Sequence, residues 1–224
     1  QAKLGVMTHA FNYGTAVFEG IRGNWNDDDQ TTYLFRLREH FERLGQSSKI
    51  LTLQMHQAVD QLCEIAVELV ERSGFTEDVY LRPMVYLSSE QLGVRLHNLE
   101  SDTLIFLTPF PAYLPEVARC HTSTWRRVQD TGIPPRAKVT GIYVNSALAK
   151  SEANANGFDE AIMLNENGHV SEGSGENIFM VRDGRLITPT PADNVLEGIT
   201  ARSVMELAAN ELGVPILQRE IDRT

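Results

Sequence analysis

The chain has little of several features that identify whole classes of protein. It carries two cysteines, Cys63 and Cys120, in 224 residues, which argues against a disulfide framework or a cysteine-based zinc site. Its six histidines are scattered along the sequence, and none stands at a metal-ligand spacing. No apolar run approaches the roughly 20 residues that span a bilayer, and nothing at the start resembles a secretion signal. We therefore expect a cytoplasmic protein with no metal site and no membrane attachment.

An excess of positive charge is also absent, since the formal net charge is -10. Nucleic acids and anionic membranes select basic surfaces, so neither is an expected partner. The composition, 42% hydrophobic and 22% charged, is that of an ordinary globular protein. The chain opens with Gln and stops directly after an apolar strand, so we expect that it is truncated.

Hydrophobic periodicity predicts an α+β protein. In the first half the predicted elements are a strand over 31–37, helices over 38–51 and 57–73, and strands over 78–89 and 102–110. In the second half they are a strand over 120–128, helices over 143–157 and 199–212, and hairpins around Asn165–Gly168 and Asp183–Gly184. Three prolines in the segment Thr108–Val117 mark a linker. We therefore predict domains over 1–107 and 119–224, a linker over 108–118, and a ligand cleft between the domains.

Lysine is scarce, with four in the whole chain, and two of them, Lys138 and Lys150, stand twelve residues apart. An amine nucleophile requires burial or a neighbouring cation. The predicted inward face of the 143–156 helix consists of Val144, Ala147, Leu148 and Ser151. Lys150 falls off that face, which predicts a solvated side chain, whereas Lys138 follows Ala137 in a small, apolar context. The local pattern favours Lys138 without deciding whether it is functional.

Two further segments permit a functional and an ordinary interpretation. In "EGSGEN", Glu172 and Glu176 frame two glycines, either as fixed anions for a cationic ring or as exposed residues of a hairpin. Gly198 precedes a predicted helix whose first amides, on Ile199 and Thr200, could bind a phosphate, although every helix has such a terminus. No serine-hydrolase elbow and no P-loop motif is present.

Taken together, six segments resemble a known family: "FNYGTAVFEGIRG", "FRLREHFERL", "YLRP", "AKVTGIY", "GFDEAIMLNENGHVSEGSGENIF" and "LEGITARSVMELA". In this order they closely resemble the branched-chain amino-acid aminotransferases, class IV enzymes of fold type IV that use pyridoxal 5'-phosphate. The resemblance implies a smaller N-terminal α/β domain, a larger C-terminal domain and a cofactor in the cleft between them. It also implies that the C-terminal part, with a Gly-Thr-Ala loop, is missing.

The resemblance assigns the cofactor-binding residues. Lys138 matches the lysine that forms the Schiff base, Tyr143 matches the residue that hydrogen-bonds the phenolic oxygen, and Glu172 matches the partner of the pyridine nitrogen. The remaining matches concern the cofactor phosphate and are the side chain of Arg43 and the backbone amides of Ile199 and Thr200. A carboxylate beside the pyridine nitrogen favours its protonated form, and arginine offers a planar fork to phosphate oxygens.

Substrate residues follow from the same resemblance. The matching aromatic residues around the branched side-chain pocket are Tyr13, Phe18, Tyr113 and Tyr143. Arg82 matches the arginine that receives the side-chain carboxylate of glutamate, and its ordinary alternative is a surface salt bridge. Val94 resembles a loop residue that reaches the neighbouring subunit's site, so we expect a homodimer or a higher homo-oligomer.

The expected reaction is therefore the transfer of an amino group between leucine, isoleucine or valine and 2-oxoglutarate, in ping-pong half-reactions. Alternatives within the fold are D-amino-acid transamination, (R)-amine transamination and an aminodeoxychorismate lyase. The combination of "FEGIR" and "YLRP" favours the branched-chain type. A further alternative is an inactive, truncated subunit.

Overall fold

A computed structural model describes residues 3–110 and 115–224. The chain divides into two compact units, the first comprising Gln1–Ala112 with Ala137–Gly141, the second comprising Tyr113–Arg136 with Ile142–Thr224. The short segment that carries Lys138 therefore belongs with the N-terminal residues. The domain boundaries predicted at 107 and 119 stay a prediction, because residues 111–114 lie outside the described residues.

The first unit is built on an antiparallel sheet of five strands with two long helices. Its elements are α1 (His9–Tyr13), β1 (Ala16–Phe18), β2 (Ile21–Asn26), β3 (Thr31–Leu34), α2 (Leu37–Ile50), α3 (Val59–Ser73), β4 (Val79–Leu87) and β5 (Ser101–Pro109). The strand β5 pairs with β4 along one edge, β1 and β2 pair with its other edge in succession, and β3 lies outside β2.

The alternation in β4 determines what lies on each face of this sheet. Buried and half-buried residues alternate strictly from Val79 to Leu87, because successive side chains of a strand point to opposite faces. The helix α2 contacts this strand, and Phe41 and Leu44 of α2 are fully buried. Arg82 has the opposite parity, so the same pattern that builds the core directs Arg82 away from it.

Several element boundaries in this unit differ from the sequence-based expectation by a few residues. The strand predicted over 31–37 ends at Leu34, because Arg36 adopts a left-handed backbone (φ 47°) and α2 begins at Leu37. The helix predicted over 57–73 begins two residues later, at Val59. It ends as predicted, since Gly74 has φ 66° at its C-cap.

The second unit contains two small mixed sheets. Its elements are β6 (Cys120–Arg126), α4 (Tyr143–Ala155), β7 (Glu160–Leu164), β8 (Val170–Gly173), β9 (Met180–Arg182), β10 (Arg185–Thr188), α5 (Ile199–Asn210) and β11 (Ile216–Gln218). The strands β6 and β7 are parallel and β7 pairs antiparallel with β8, while β10 lies between antiparallel β9 and parallel β11. The two predicted hairpins are β7–β8 and β9–β10.

The buried face of α4 differs from the predicted one. The predicted inward residues Val144, Ala147, Leu148 and Ser151 are all exposed. The helix instead packs against β6 and β7 through Ser146, Ala149 and Ala153, because small side chains permit a close approach to the sheet. Lys150 is consequently not a solvated residue: its Nζ lies 2.5 Å from Glu160 Oε2, and its side chain is 25% exposed.

Candidate active site

Glu172 is a buried carboxylate near the end of β8, with 5% of the residue exposed. Its Oε1 lies 2.7 Å from Nη2 of Arg127. Its Oε2 accepts hydrogen bonds from the backbone N–H of Leu196 (3.0 Å) and from Nδ2 of Asn177 (3.1 Å). The alternative that this glutamate is an exposed hairpin residue is therefore wrong, and the site holds a fixed anion.

Asn177 connects this carboxylate to the segment that leads into α5. Its Nδ2 also donates to the carbonyl of Leu196 (2.9 Å), and its Oδ1 faces Gly198. A Cβ atom on Gly198 would lie 2.0 Å from that oxygen, which is closer than any real contact. A glycine is therefore required where the backbone approaches Asn177.

The N-terminus of α5 follows directly. Gly198 is extended (φ −69°, ψ 135°) and provides no side-chain cap, so the first amides of α5 are not satisfied by a capping side chain. Ile199 is buried, whereas Thr200 is exposed. The backbone amides and the dipole at the start of a helix favour a bound anion. Asn177 fixes the start of α5 relative to Glu172.

Lys138 lies in the short segment Ala137–Gly141 of the first unit. Its flanking residues Ala137 and Val139 are buried, and Lys138 itself is half-buried. The backbone is fixed on both sides, since the Lys138 N–H donates to Ser47 Oγ (3.2 Å) and the Lys138 carbonyl accepts from the Phe18 N–H (3.0 Å). Nζ lies 5.1 Å from the centroid of the Phe18 ring. The amine is thus placed by core packing and backbone hydrogen bonds.

Arg82 and Lys138 both lie close to the Phe18 ring. The guanidinium carbon lies 4.3 Å from the ring centroid, within the range of a cation–π contact. Nε and Nη2 of Arg82 both donate to the hydroxyl of Tyr80, at 3.1 and 2.8 Å. Within residues 3–110 and 115–224 no carboxylate pairs with Arg82, so the surface salt bridge considered from the sequence is wrong.

Arg43 belongs to a buried charged triad that the sequence reasoning missed. Its Nε and Nη2 bind the two oxygens of Glu19 at 2.7 and 2.6 Å, and Nδ1 of His40 lies 2.8 Å from Glu19 Oε2. Glu19 is fully buried, and the Arg43 side chain is 12% exposed. The bidentate pair determines the orientation of the Arg43 guanidinium.

The triad keeps Glu19 ionised. Burial by itself raises the pKa of Glu19, but the hydrogen bonds from His40 and Arg43 and the charge of Arg43 outweigh it. The pKa of Glu19 therefore lies below its ordinary value of 4.5. Because its pKa is lowered, Glu19 is a charged partner for Arg43 at neutral pH.

The loop that carries Val94 is attached to α1. The Nε2 of His9 donates to the Gly93 carbonyl (2.7 Å), and the hydroxyl of Tyr13 accepts from the Gly93 N–H (3.0 Å). His9 is fully buried and is also bonded through Nδ1 to Thr15 Oγ1 (2.7 Å). Val94 itself is 81% exposed. The Tyr13 hydroxyl therefore contacts the loop, and its pocket role stays a prediction.

The remaining predicted residues divide as follows. Tyr143 is half-buried and opens α4, whereas Tyr113 lies outside the described residues. Within the described ranges no group of three or more histidine, cysteine, aspartate or glutamate residues could bind a metal ion. No helix in those ranges is long and apolar enough to span a membrane.

Comparison with known proteins places this geometry in a family. The model of the family described as amino-transferase class IV matches residues 16–224. A probable branched-chain-amino-acid aminotransferase from Aquifex aeolicus is 44% identical over 226 residues, which cover 100% of this chain and 73% of that protein.

Solved structures agree with the sequence comparison. The branched-chain aminotransferase of Thermoproteus uzoniensis with norvaline is similar with a TM-score of 0.96 and 46% identity, covering 100% of this chain and 74% of that one. The branched-chain amino acid aminotransferase of Thermobaculum terrenum in its PLP form has a TM-score of 0.93 and 36% identity, with 99% and 73% covered. With sequence, fold and buried carboxylate in agreement, this chain belongs to the class IV aminotransferases, in the branched-chain amino-acid aminotransferase family.

Proposed function

We propose that this protein transfers the amino group between a branched-chain L-amino acid (leucine, isoleucine or valine) and 2-oxoglutarate, with pyridoxal 5'-phosphate as its cofactor. The observation that carries the proposal is Glu172, a buried carboxylate paired with Arg127 and connected through Asn177 to the start of α5. In a member of this family, that arrangement is suited to a cationic ring that also bears a phosphate.

The described residues fit the cofactor chemically. Glu172 offers a fixed anion to a protonated pyridine nitrogen. The first amides of α5, on Ile199 and Thr200, and the guanidinium of Arg43 suit a phosphate. Lys138 offers a primary amine on a rigid backbone. When bound, pyridoxal phosphate supplies an electron sink for the carbanion formed at the substrate's Cα.

The protein's own residues then have separate tasks. Lys138 would hold the cofactor through Nζ, and the same amine would accept and return the proton at the substrate's Cα. Tyr143 is proposed to donate a hydrogen bond to the phenolic oxygen of the cofactor. Glu19 acts indirectly, since it orients the guanidinium of Arg43.

Substrate selection rests on Arg82 and the aromatic residues. Arg82 is bound to the Tyr80 hydroxyl and to the Phe18 ring, which fixes its guanidinium next to an apolar surface. We infer that it receives the side-chain carboxylate of glutamate. The proposed lining of the branched side-chain pocket is Tyr13, Phe18, Tyr113 and Tyr143. One site could thus bind an apolar side chain and a dicarboxylate in alternation.

We also propose that the protein forms a homodimer or a higher homo-oligomer. Val94 is 81% exposed, Leu92 is 66% exposed and Phe11 is 72% exposed. Apolar side chains this exposed favour a subunit interface. In this proposal Val94 contributes to the site of the neighbouring subunit.

The test combines chemical trapping with half-reactions. Borohydride reduction of the cofactor-loaded protein, followed by peptide mapping, is expected to place the reduced cofactor on Lys138. L-Leucine, L-isoleucine, L-valine and L-glutamate should each convert the cofactor in single-turnover absorbance measurements, and D-alanine should not. Conversion by D-alanine but not by L-leucine would instead favour D-amino-acid transamination.

A lysine variant and a matched lysine control complete the test. Lys138→Ala should abolish transamination. Lys150→Ala should retain most of the activity, because the amine of Lys150 pairs with Glu160 and has no task in the proposed reaction. Reduced cofactor on Lys150 would show that the assignment of Lys138 is wrong. A protein without a visible absorbance band after incubation with the cofactor would contradict the proposed function as a whole.

A further inference from the structure

Arg127 is a buried arginine that the sequence motifs did not single out. It lies directly after β6, is 7% exposed, and its backbone N–H donates to the Leu164 carbonyl (2.9 Å). Its side chain reaches Glu172, with Nη2 2.7 Å from Oε1. Longer contacts of 3.4 Å join Nε to the Asn194 carbonyl and Nη1 to Ser146 Oγ. The backbone and the guanidinium are thus both fixed.

The surroundings of Glu172 show what Arg127 adds. The donors to Oε2, the Leu196 N–H and the Asn177 amide, are neutral dipoles. Arg127 brings a full positive charge, and arginine keeps that charge at every pH at which proteins function. A carboxylate as buried as Glu172 would otherwise lose its hydration without a compensating charge, at a large cost in free energy.

We propose that Arg127 is a positioning residue, which keeps Glu172 ionised and oriented toward the protonated pyridine nitrogen of the cofactor. This inference rests on the proposed function. The positive charge of Arg127 by itself opposes a proton on the ring. Glu172 is the group proposed to contact that nitrogen, and Coulomb interactions weaken with distance. The attraction between the ionised Glu172 and the protonated nitrogen therefore outweighs the repulsion of that nitrogen by the more distant Arg127.

The test is a double-mutant cycle with the dissociation constant for pyridoxal phosphate as its readout. Arg127→Met should raise that constant about tenfold or more. Arg127→Lys should restore most of the affinity, because it returns the charge. In a Glu172→Gln background, Arg127→Met should change the constant by less than about twofold, since no carboxylate charge remains to be stabilised.

A control and a second variant separate this role from a loss of folding. Lys150→Met removes the cation next to another buried glutamate, Glu160, whose side chain is 7% exposed like that of Glu172. It should lower the thermal unfolding temperature without a tenfold change in cofactor affinity. If Arg127→Met does not fold, Arg127→Gln places an uncharged amide near the position of Nε, which contacts the Asn194 carbonyl, and it should show the same tenfold loss.

Three results would overturn the inference while the proposed function stands. They are an unchanged dissociation constant in Arg127→Met, an equal tenfold loss in the Glu172→Gln background, and no recovery with Arg127→Lys. Absence of saturable binding of pyridoxal phosphate to the unaltered protein would overturn the proposed function together with the inference.

Discussion

Glu19, Glu160 and Glu172 are buried, and each is paired with a basic side chain that offsets the free-energy cost of burying its charge. Glu19, Glu160 and Glu172 are each at most 5% exposed. Each has a basic partner within 2.7 Å, namely Arg43, Lys150 and Arg127 in that order. A buried ion pair adds little stability compared with apolar packing, but removing one partner is costly. Such pairs determine orientation, and two of them belong to the proposed site.

The Glu19 triad predicts a pH-dependent contribution to stability. The pKa of Glu19 is lower in the folded protein than its ordinary value of 4.5, so its contribution is complete above that pH. The contribution is lost as the pH falls through the folded-state pKa. Glu19→Gln should lower the free energy of unfolding by about 3 kcal/mol at neutral pH. That difference should shrink below pH 4.5, as measured by urea unfolding at a series of pH values.

An exposed ion pair provides the control for this experiment. Glu68 pairs with Arg72 one helical turn away, and the two side chains are 56% and 78% exposed. Glu68→Gln should change the free energy of unfolding by less than about 0.5 kcal/mol. A destabilisation by Glu19→Gln that stays constant down to pH 3 would contradict the role given to the Glu19 charge.

At the scale of elements, the contact between Gly198 and Asn177 predicts a different kind of sensitivity. A Cβ at residue 198 would lie 2.0 Å from Asn177 Oδ1, so Gly198→Ala must displace Asn177. The hydrogen bonds of Asn177 to Glu172 and Leu196 would then be lost. We expect a loss of about 1–3 kcal/mol in the free energy of unfolding.

Gly175, two residues before Asn177, provides a matched glycine. A Cβ there would meet no atom within 4 Å, so Gly175→Ala should leave the free energy of unfolding within about 0.5 kcal/mol of the parent. Chemical denaturation of both variants without cofactor measures the difference. Equal stability of the two variants would show that the start of α5 accommodates a side chain, against the close approach described above.

The same scale shows where sequence patterns predict this structure and where they do not. The strand predicted over 78–89 and the end of the helix before Gly74 depend on local signals, and both are confirmed. The predicted buried face of α4 was wrong, because Val144 and Leu148 dominate the hydrophobic pattern of the helix. The face that packs against β6 and β7 instead consists of small residues. Arg127 gave no signal, since its partner Glu172 is 45 residues away and only the fold brings them together.

For the whole molecule, the two units carry different parts of the proposed chemistry. The first unit contains Lys138, Arg43 and Arg82, and the second contains Glu172 and the amides that open α5. The amine and the ring anion assigned in the proposed function therefore come from different units.

The proposed oligomer adds a further contributor, because Val94 is expected to act in the neighbouring subunit's site. Its loop is attached to its own subunit through His9 and Tyr13, while the valine itself is exposed. A Val94→Asp subunit and a Lys138→Ala subunit should each be nearly inactive by themselves. After mixing and subunit exchange, one site of each heterodimer combines an intact Lys138 with an intact Val94.

Random exchange of equal amounts makes half of the dimers mixed, so about one quarter of all sites should regain both residues. Leucine transamination should therefore return to about one quarter of the parent's specific activity. Native mass spectrometry of differently tagged subunits measures the heterodimer fraction independently. Heterodimers that form without regaining activity would show that Val94 acts within its own subunit. A parent protein that sediments as a monomer would contradict the proposed assembly.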